Sequence, residues 1–384
     1  MKSIEISNFK NFKNLKVDNL GAINLIVGKN NAGKSTLLEA ISLSASGGSI
    51  GWLKKILEIR GLNSQISTLS DAIEEIGLET LCSLSHGYNL ENFMQNPIRI
   101  KATENQEERQ TVEISIVRLI RSVEYGENGI ELTRLLPVDK FGNDVAMIDE
   151  EPILGISISI NANRTYYSVG QFFKRRNFLS FRNIPFEYVR TAEFTGDTNP
   201  ALFDKVALTP MEGVLIKSLQ IIDPHINAIN YLNEDRNLRS SYSRPIDNRV
   251  PFVGYDNMPG KYRLSAMGDG INRILTIMLS MINCKDGILL VDEFENGLHY
   301  SVQTDLWKLI FCLASQLNIQ VFATTHSQDC IKSFLKASRE LEELPEYGAA
   351  RLIRLERRKD DEIAVVYDDP DELDYISEND IETR

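Results

Sequence analysis

Eight consecutive residues, Gly28-Lys29-Asn30-Asn31-Ala32-Gly33-Lys34-Ser35, place two glycines, a lysine and a hydroxyl at the spacing G-x-x-x-x-G-K-[ST]. The chemistry such a spacing serves is the holding of a polyphosphate. Glycine lets the backbone curl so that successive N–H groups converge on phosphate oxygens at the start of a helix, where the dipole also favours negative charge. Lys34 reaches the β and γ phosphates and Ser35 offers a ligand for Mg²⁺, while Gly28, Asn30, Asn31, Ala32, Gly33 and Thr36 form the rest of the cradle. The cofactors implied are ATP and Mg²⁺.

More than two hundred residues downstream, the apolar run Gly287-Ile288-Leu289-Leu290-Val291 ends in Asp292-Glu293. This is a Walker B pattern. Asp292 is a metal-holding carboxylate, and Glu293 a general base that polarises the attacking water of a phosphoryl transfer. A third run, Ile319 to Thr324, leads through Thr325 into His326, one of only four histidines. A lone histidine is commonly structural, but one at the end of the strand after Walker B is placed to sense a γ-phosphate. Between these segments Leu264-Ser265-Ala266-Met267-Gly268-Asp269-Gly270 supplies a serine and freed backbone before an apolar helix pattern, a second anion site. In isolation it would read as a glycine turn with a serine cap.

These groups work only if the chain brings them to element ends. The apolar run Ile23–Val27 predicts a buried strand feeding the phosphate loop, and Thr36–Ile41 the helix that follows it. The run before Asp292 suits a strand covered on both faces in a parallel sheet, with its carboxyl end beside the phosphate loop. Ile271–Met278 and Ser301–Leu317 predict flanking helices.

The four segments in this order, with Phe9 and Phe12 in the opening Ile4–Phe12, resemble the ABC-type ATPases of the SMC, RecF and OLD group. The resemblance covers residues 1–50 and 255–384. Gly268-Asp269-Gly270 and Asp292-Glu293-Phe294-Glu295-Asn296-Gly297-Leu298-His299 look most like the OLD-type branch, annotated generically as AAA-family ATPases. The expected fold is therefore α/β, a P-loop ABC-type ATPase head with a mixed sheet flanked by helices and an α+β insert between Walker A and the signature loop. The resemblance implies a head-to-tail homodimer, with Lys34, Ser35, Asp292, Glu293 and His326 of one protomer facing Ser265 and Gly268 of its partner across ATP. Asn296 and Gly297 then fall at the seam. It also implies a Q-loop glutamine, for which Gln171 is a candidate, against its reading as a polar residue flanking a strand. The signature departs from the transporter pattern, since Ala266 and Met267 separate Ser265 from Gly268.

The expected division is a head segment at 1–50, an insert of helical and antiparallel strand segments at 51–254, and the rest of the head with an acidic tail at 255–384. Within the insert, Trp52–Leu84 is helix-prone, Ile98–Ala102, Thr111–Ile120 and Ile153–Ile160 are strand-like, and Pro200–Tyr231 reads as helix. Leu352 and Ile363 lie in two C-terminal runs that predict a hairpin. Asp369 and Pro370 then open a short terminal helix. No heptad run supports a long coiled coil. A nuclease domain found in many OLD-type proteins is not expected in the chain, so DNA cleavage would need a nuclease or other effector in trans.

The 384 residues are 42% hydrophobic and 25% charged, with a net charge of −12, the composition of a globular chain with a sizeable core. Neither a signal peptide nor a membrane span is expected, which points to the cytoplasm. Cys82, Cys284, Cys312 and Cys330 are widely spaced, favouring buried thiols over a disulfide framework or zinc. From Leu355 to Arg384 twelve Asp and Glu face four Lys and Arg, so the tail carries −8 and the preceding chain only −4. Basic groups at Lys174-Arg175-Arg176, Arg182 and Arg190, and at Arg236, Arg239, Arg244 and Arg249, keep DNA open as a partner, although solvated surface is the commoner reading of such clusters.

Overall fold

The structure, a computed structural model, describes residues 1–59, 73–104, 107–125, 131–138, 151–161, 163–174, 184–191, 199–233, 247, 249–342, 349–358 and 361–367. The chain forms two compact units, one of residues 1–19, 31–184 and 356–364, the other of residues 20–30, 185–355 and 365–384.

The first unit is built on an antiparallel sheet. β1 (Ser3–Phe9), β2 (Phe12–Val17), β4 (Ile98–Glu104), β5 (Glu107–Tyr125), β7 (Ile153–Ile160) and β8 (Asn163–Ser168) run in the order β2-β1-β4-β5-β7-β8, with β6 (Glu131–Pro137) added on β5. β1 shows why one face is covered: Ile4 and Ile6 are fully buried while Ser3, Glu5 and Ser7 are half exposed, the alternation a sheet with one solvated face imposes, and the strand ends in the buried pair Asn8 and Phe9. The helix that follows the phosphate loop, α1 (Lys34–Ala45), packs on β1, β4 and β5. α2 (Ile50–Ile59), α3 (Ile73–Cys82), α4 (Leu90–Gln95) and α5 (Val169–Lys174) complete this unit. The strand-like stretches at 98–102, 111–120 and 153–160 are β4, β5 and β7, and the helix-prone stretch holds α2 and α3.

The second sheet, whose central strands lie in the second unit, runs in the order β16-β15-β3-β14-β13-β9. Its strands are β3 (Ile23–Gly28), β9 (Phe186–Val189), β13 (Ile288–Val291), β14 (Gln320–Thr324), β15 (Ala350–Arg358) and β16 (Asp361–Tyr367). The pairs β9/β13, β13/β14, β14/β3 and β3/β15 are all parallel. Every residue of β3 and β13 is buried, the pattern of central parallel strands covered on both faces. The Walker B strand is not the direct neighbour of the phosphate-loop strand, because β14 lies between them. β15 and β16 are the expected C-terminal hairpin partners.

Helices α6 (Asn199–Asp204), α7 (Pro210–Leu219), α8 (Asp269–Asn283), α9 (Tyr300–Leu317) and α10 (Gln328–Glu342) accompany this sheet. α7 starts on a Thr209 cap with Pro210 in its first turn, and α9 ends on Asn318 in the left-handed conformation, φ 53°, each a standard stop or start signal. The helical reading of 200–231 holds for α6 and α7, with non-helical turns over 205–209 between them, and ends at Leu219. Asp223-Pro224 breaks it, since the residue before proline is disfavoured in a helix. Ile226–Asn233 is instead β10, in a three-stranded sheet with β11 (Arg249–Tyr255) and β12 (Tyr262–Arg263). No helix among the described residues is long and apolar enough to cross a membrane. The terminal helix expected at Asp369-Pro370, the acidic tail beyond 367 and the basic residues Arg175, Arg176, Arg182, Arg236, Arg239 and Arg244 lie outside the described residues.

Candidate functional site

The phosphate loop is shaped by backbone conformations that its sequence permits. Gly28 has φ 145°, Asn31 φ 66° and Gly33 φ 98°. At Gly33 glycine is obligatory twice over: φ is left-handed, and a Cβ would lie 2.5 Å from the ring of Phe12. Phe12 is itself fully buried, so the aromatic in the opening segment braces the turn where α1 begins. The same turn is held by Asn11, whose Nδ2 donates to the Asn31 carbonyl at 3.4 Å and whose Oδ1 accepts from the Thr36 hydroxyl at 3.0 Å. Gly28 is buried, Asn30 and Asn31 are exposed, Ala32 and Ser35 are half-buried, and Lys34 and Thr36 are buried. Deeper on α1, Glu39 forms a buried ion pair with Lys10. Asn11 and Lys10 were not singled out by sequence reasoning, because their contacts are to residues twenty to thirty positions away.

In the second unit the carboxyl ends of β13 and β14 meet. The Thr324 hydroxyl donates to Asp292 Oδ1 at 2.6 Å and accepts from the Glu293 N–H at 2.9 Å. Glu293 adopts φ 49°, a left-handed conformation unusual for a residue with a side chain. Phe294, fully buried, pins the turn by stacking on Trp307 with ring centroids 4.0 Å apart. The next residue, Glu295, accepts the His326 N–H at 2.8 Å through Oε1, so the Walker B turn is tied to the second residue after β14. His326 itself is exposed.

The signature segment forms a single 3₁₀ turn, Leu264–Met267, with Leu264 buried and Ser265 exposed. Gly268 (φ 101°) follows as N-cap of α8, and α8 opens with Asp269 and Gly270. Gly270 is demanded by close approach: a Cβ there would sit 2.7 Å from the Gly297 carbonyl oxygen. The Asn296-Gly297 turn thus packs on the first turn of α8.

One residue on α8 was missed by sequence reasoning. Arg273 is 2% exposed, and its guanidinium donates to the carbonyls of Arg190 (2.9 Å), Asp292 (2.6 Å) and Glu293 (2.9 Å). Burial pulls its pKa down to about 10, opposed by Asp292, Glu295 and Glu293, so it stays charged at neutral pH. The available signal was a lone arginine at an inward position of an otherwise apolar helix face. Gln171 is the third residue of α5, where it and Ser168 cap each other's backbone: Ser168 N–H donates to Gln171 Oε1 at 3.3 Å, and Gln171 N–H to Ser168 Oγ at 3.1 Å. It is a capping-box residue rather than the flank of a strand.

The model of the AAA ATPase domain family matches residues 1–119 and 193–331, more than half of the chain. The chain belongs to this family. A protein of Helicobacter pylori named as an ATP/GTP phosphatase is 29% identical over 351 residues, 88% of this chain and 89% of that one. The DNA replication and repair protein RecF of Heliobacterium modesticaldum is 43% identical over 49 residues, 13% of each chain. Among solved structures, an Smc head domain derived from Pyrococcus furiosus aligns over 99% of both chains at 10% identity, with a TM-score of 0.45. This member of the AAA ATPase domain family is an ATPase.

Proposed function

We propose that the protein hydrolyses ATP as a head-to-tail homodimer, in which Ser265, Gly268, Asp269 and Gly270 of one protomer engage the nucleotide held by the phosphate loop of its partner. The observation that supports this is the exposed signature turn. Its serine faces solvent, and the first N–H groups of the fifteen-residue α8 follow a non-helical glycine that provides no side-chain cap, leaving an N-terminus suited to phosphate.

In this reading Lys34 neutralises the β and γ phosphates, and the backbone of Gly28 and Asn30–Gly33 cradles them. Ser35 and Asp292 are the residues that would hold Mg²⁺. Their oxygen donors fit that ion, which is usually bound through one or two carboxylates together with substrate phosphates. Among the described residues no group of three or more His, Cys, Asp and Glu is placed to hold a metal by itself. When bound, the ion supplies neutralisation of charge on the phosphates. Thr324 fixes the rotamer of Asp292, Glu293 takes the proton of the attacking water, and His326 contacts the γ-phosphate.

In the cell the protein serves as the cytoplasmic motor or sensor subunit of a bacterial anti-phage defence system, with an effector or nuclease supplied in trans. The support is the OLD-type character of Gly268–Gly270 and Asp292–His299. A second reading, a DNA-repair or recombination ATPase, is favoured by the RecF match. A third is a switch in which ATP closes the dimer without turnover.

Steady-state hydrolysis of ATP and GTP, with and without duplex DNA and with Glu293→Gln as the blank, tests these readings. A rate indifferent to DNA that vanishes in the blank supports the sensor. Strong, salt-sensitive DNA stimulation favours repair. Wild-type protein no faster than the blank favours the switch. Lys34→Ala should abolish nucleotide binding in each case, and tight binding retained in that variant would overturn the placement of the phosphate site.

A further inference from the structure

We propose that Arg273 is a positioning residue that holds the Glu293 carboxylate in its working orientation from the signature helix. This rests on the reading of Glu293 as the general base.

The argument starts from an anomaly on α8. Ile271, Ile274, Leu275, Ile277 and Met278 are the buried side chains around it, and packing alone would be served at position 273 by another aliphatic residue. A guanidinium there gives up most of its hydration, which is tolerated only where hydrogen bonds replace it. They are supplied by three carbonyls that follow the ends of two parallel strands: Arg190 after β9, and Asp292 and Glu293 after β13. Nη1 takes the first and Nη2 the other two, while Nε has no hydrogen-bond partner among the described residues. Its grip therefore ties the segment carrying the two Walker B carboxylates to the residue that follows β9.

Glu293 needs that grip. A left-handed φ of 49° persists in a residue with a side chain only when its surroundings over-determine it. Its N–H is held by Thr324 Oγ1. Its carbonyl is held by Arg273 together with the Asn296 N–H at 3.1 Å. Releasing the arginine frees the peptide after Glu293 to rotate towards right-handed conformations, and the side chain turns with it. Lysine cannot replace the planar fork, since a single ammonium does not reach acceptors on two strands at once. Because α8 begins at Gly268-Asp269-Gly270, the same side chain links the signature turn of a protomer to that protomer's own base.

The test compares Arg273→Lys and Arg273→Met in the full-length protein, measuring ATP Kd, kcat, KM, Tm and the pH dependence of kcat. The expected result for Arg273→Lys is ATP Kd within about threefold of wild type and a Tm lowered by the lost buried hydrogen bonds, with kcat lower by about 10²-fold, the loss a misplacement of about 1 Å produces. The acidic limb of its pH profile should also move. Arg273→Met should be at least as slow. Wild-type kcat in Arg273→Lys overturns the proposal, as does a loss of kcat matched by an equal loss of ATP affinity, which marks a purely structural role. Glu293→Gln run alongside separates the two failures. If that variant still turns over at the wild-type rate, the base assignment is at fault; if it is inactive while Arg273→Lys is normal, only the positioning role is.

Discussion

At the scale of single residues, the proposed chemistry centres on Thr324, which touches both Walker B positions. Its hydroxyl donates to Asp292 and accepts from the Glu293 N–H, one group used in both directions. Thr324→Val preserves shape and removes both bonds. Leaving a buried donor unsatisfied costs about 1–3 kcal/mol, so chemical denaturation should show a loss of that size, with kcat falling more than ATP affinity. Unchanged kcat would mean that Asp292 and Glu293 are oriented by something else. The Lys10–Glu39 pair on the face of α1 makes a different prediction. Removing one partner, as in Glu39→Gln, should destabilise by about 3–5 kcal/mol, whereas replacing both with apolar residues should cost far less; equal losses in the single and double variants would contradict this. The thiols of Cys284 and Cys330 are pushed up from their ordinary value of 9.0 by burial. Folded pKa values raised above unfolded ones give stability that is complete below about pH 8 and is lost as pH rises through 9 and beyond, because the unfolded chain then binds fewer protons. Denaturation at pH 8 and pH 10 should show a shallower decline in the double alanine variant than in wild type, and equal declines would contradict it.

At the scale of elements, the site consists of strand ends and helix starts, and several were legible in the sequence. β3, β13 and β14 are largely apolar runs ending at the proposed site residues, α9 follows its expected boundaries within a residue, and α1 and α8 are the expected helices extended at both ends, to Lys34–Ala45 and Asp269–Asn283. What was not legible depends on contacts between distant residues. Nothing local says that β14 separates β3 from β13, since parallel order is set by crossovers. The stretch from Ile226 to Tyr231 reads as a continuation of the helical segment that starts at Pro200, and only pairing with β11 decides for strand. Asn11, Arg273 and Glu295 are ordinary polar residues in sequence, and their importance appears only when their partners are known. The approach of the Asn296-Gly297 turn to α8 gives the prediction at this scale. In Gly270→Ala the new methyl would meet the Gly297 oxygen at 2.7 Å. Overpacking of this kind costs about 1–3 kcal/mol, and displacement of the turn should lower ATPase activity as well. A variant with wild-type Tm and turnover would show that the two segments part without consequence.

At the scale of the whole molecule, the chain joins an antiparallel unit carrying α1 to a parallel unit carrying Walker B and the signature, and the phosphate loop runs from one into the other between Asn30 and Asn31. Catalysis in the proposed account depends on a second copy, because the signature turn completes its partner's site rather than its own. The most direct test is the solution mass of Glu293→Gln by size exclusion with light scattering, with ATP and Mg²⁺ and without them. The account predicts a monomer without nucleotide, a stable dimer with it, and loss of that dimer when Lys34→Ala or Ser265→Arg is added. A Glu293→Gln protein that binds ATP yet remains monomeric at every concentration would contradict the shared-site mechanism.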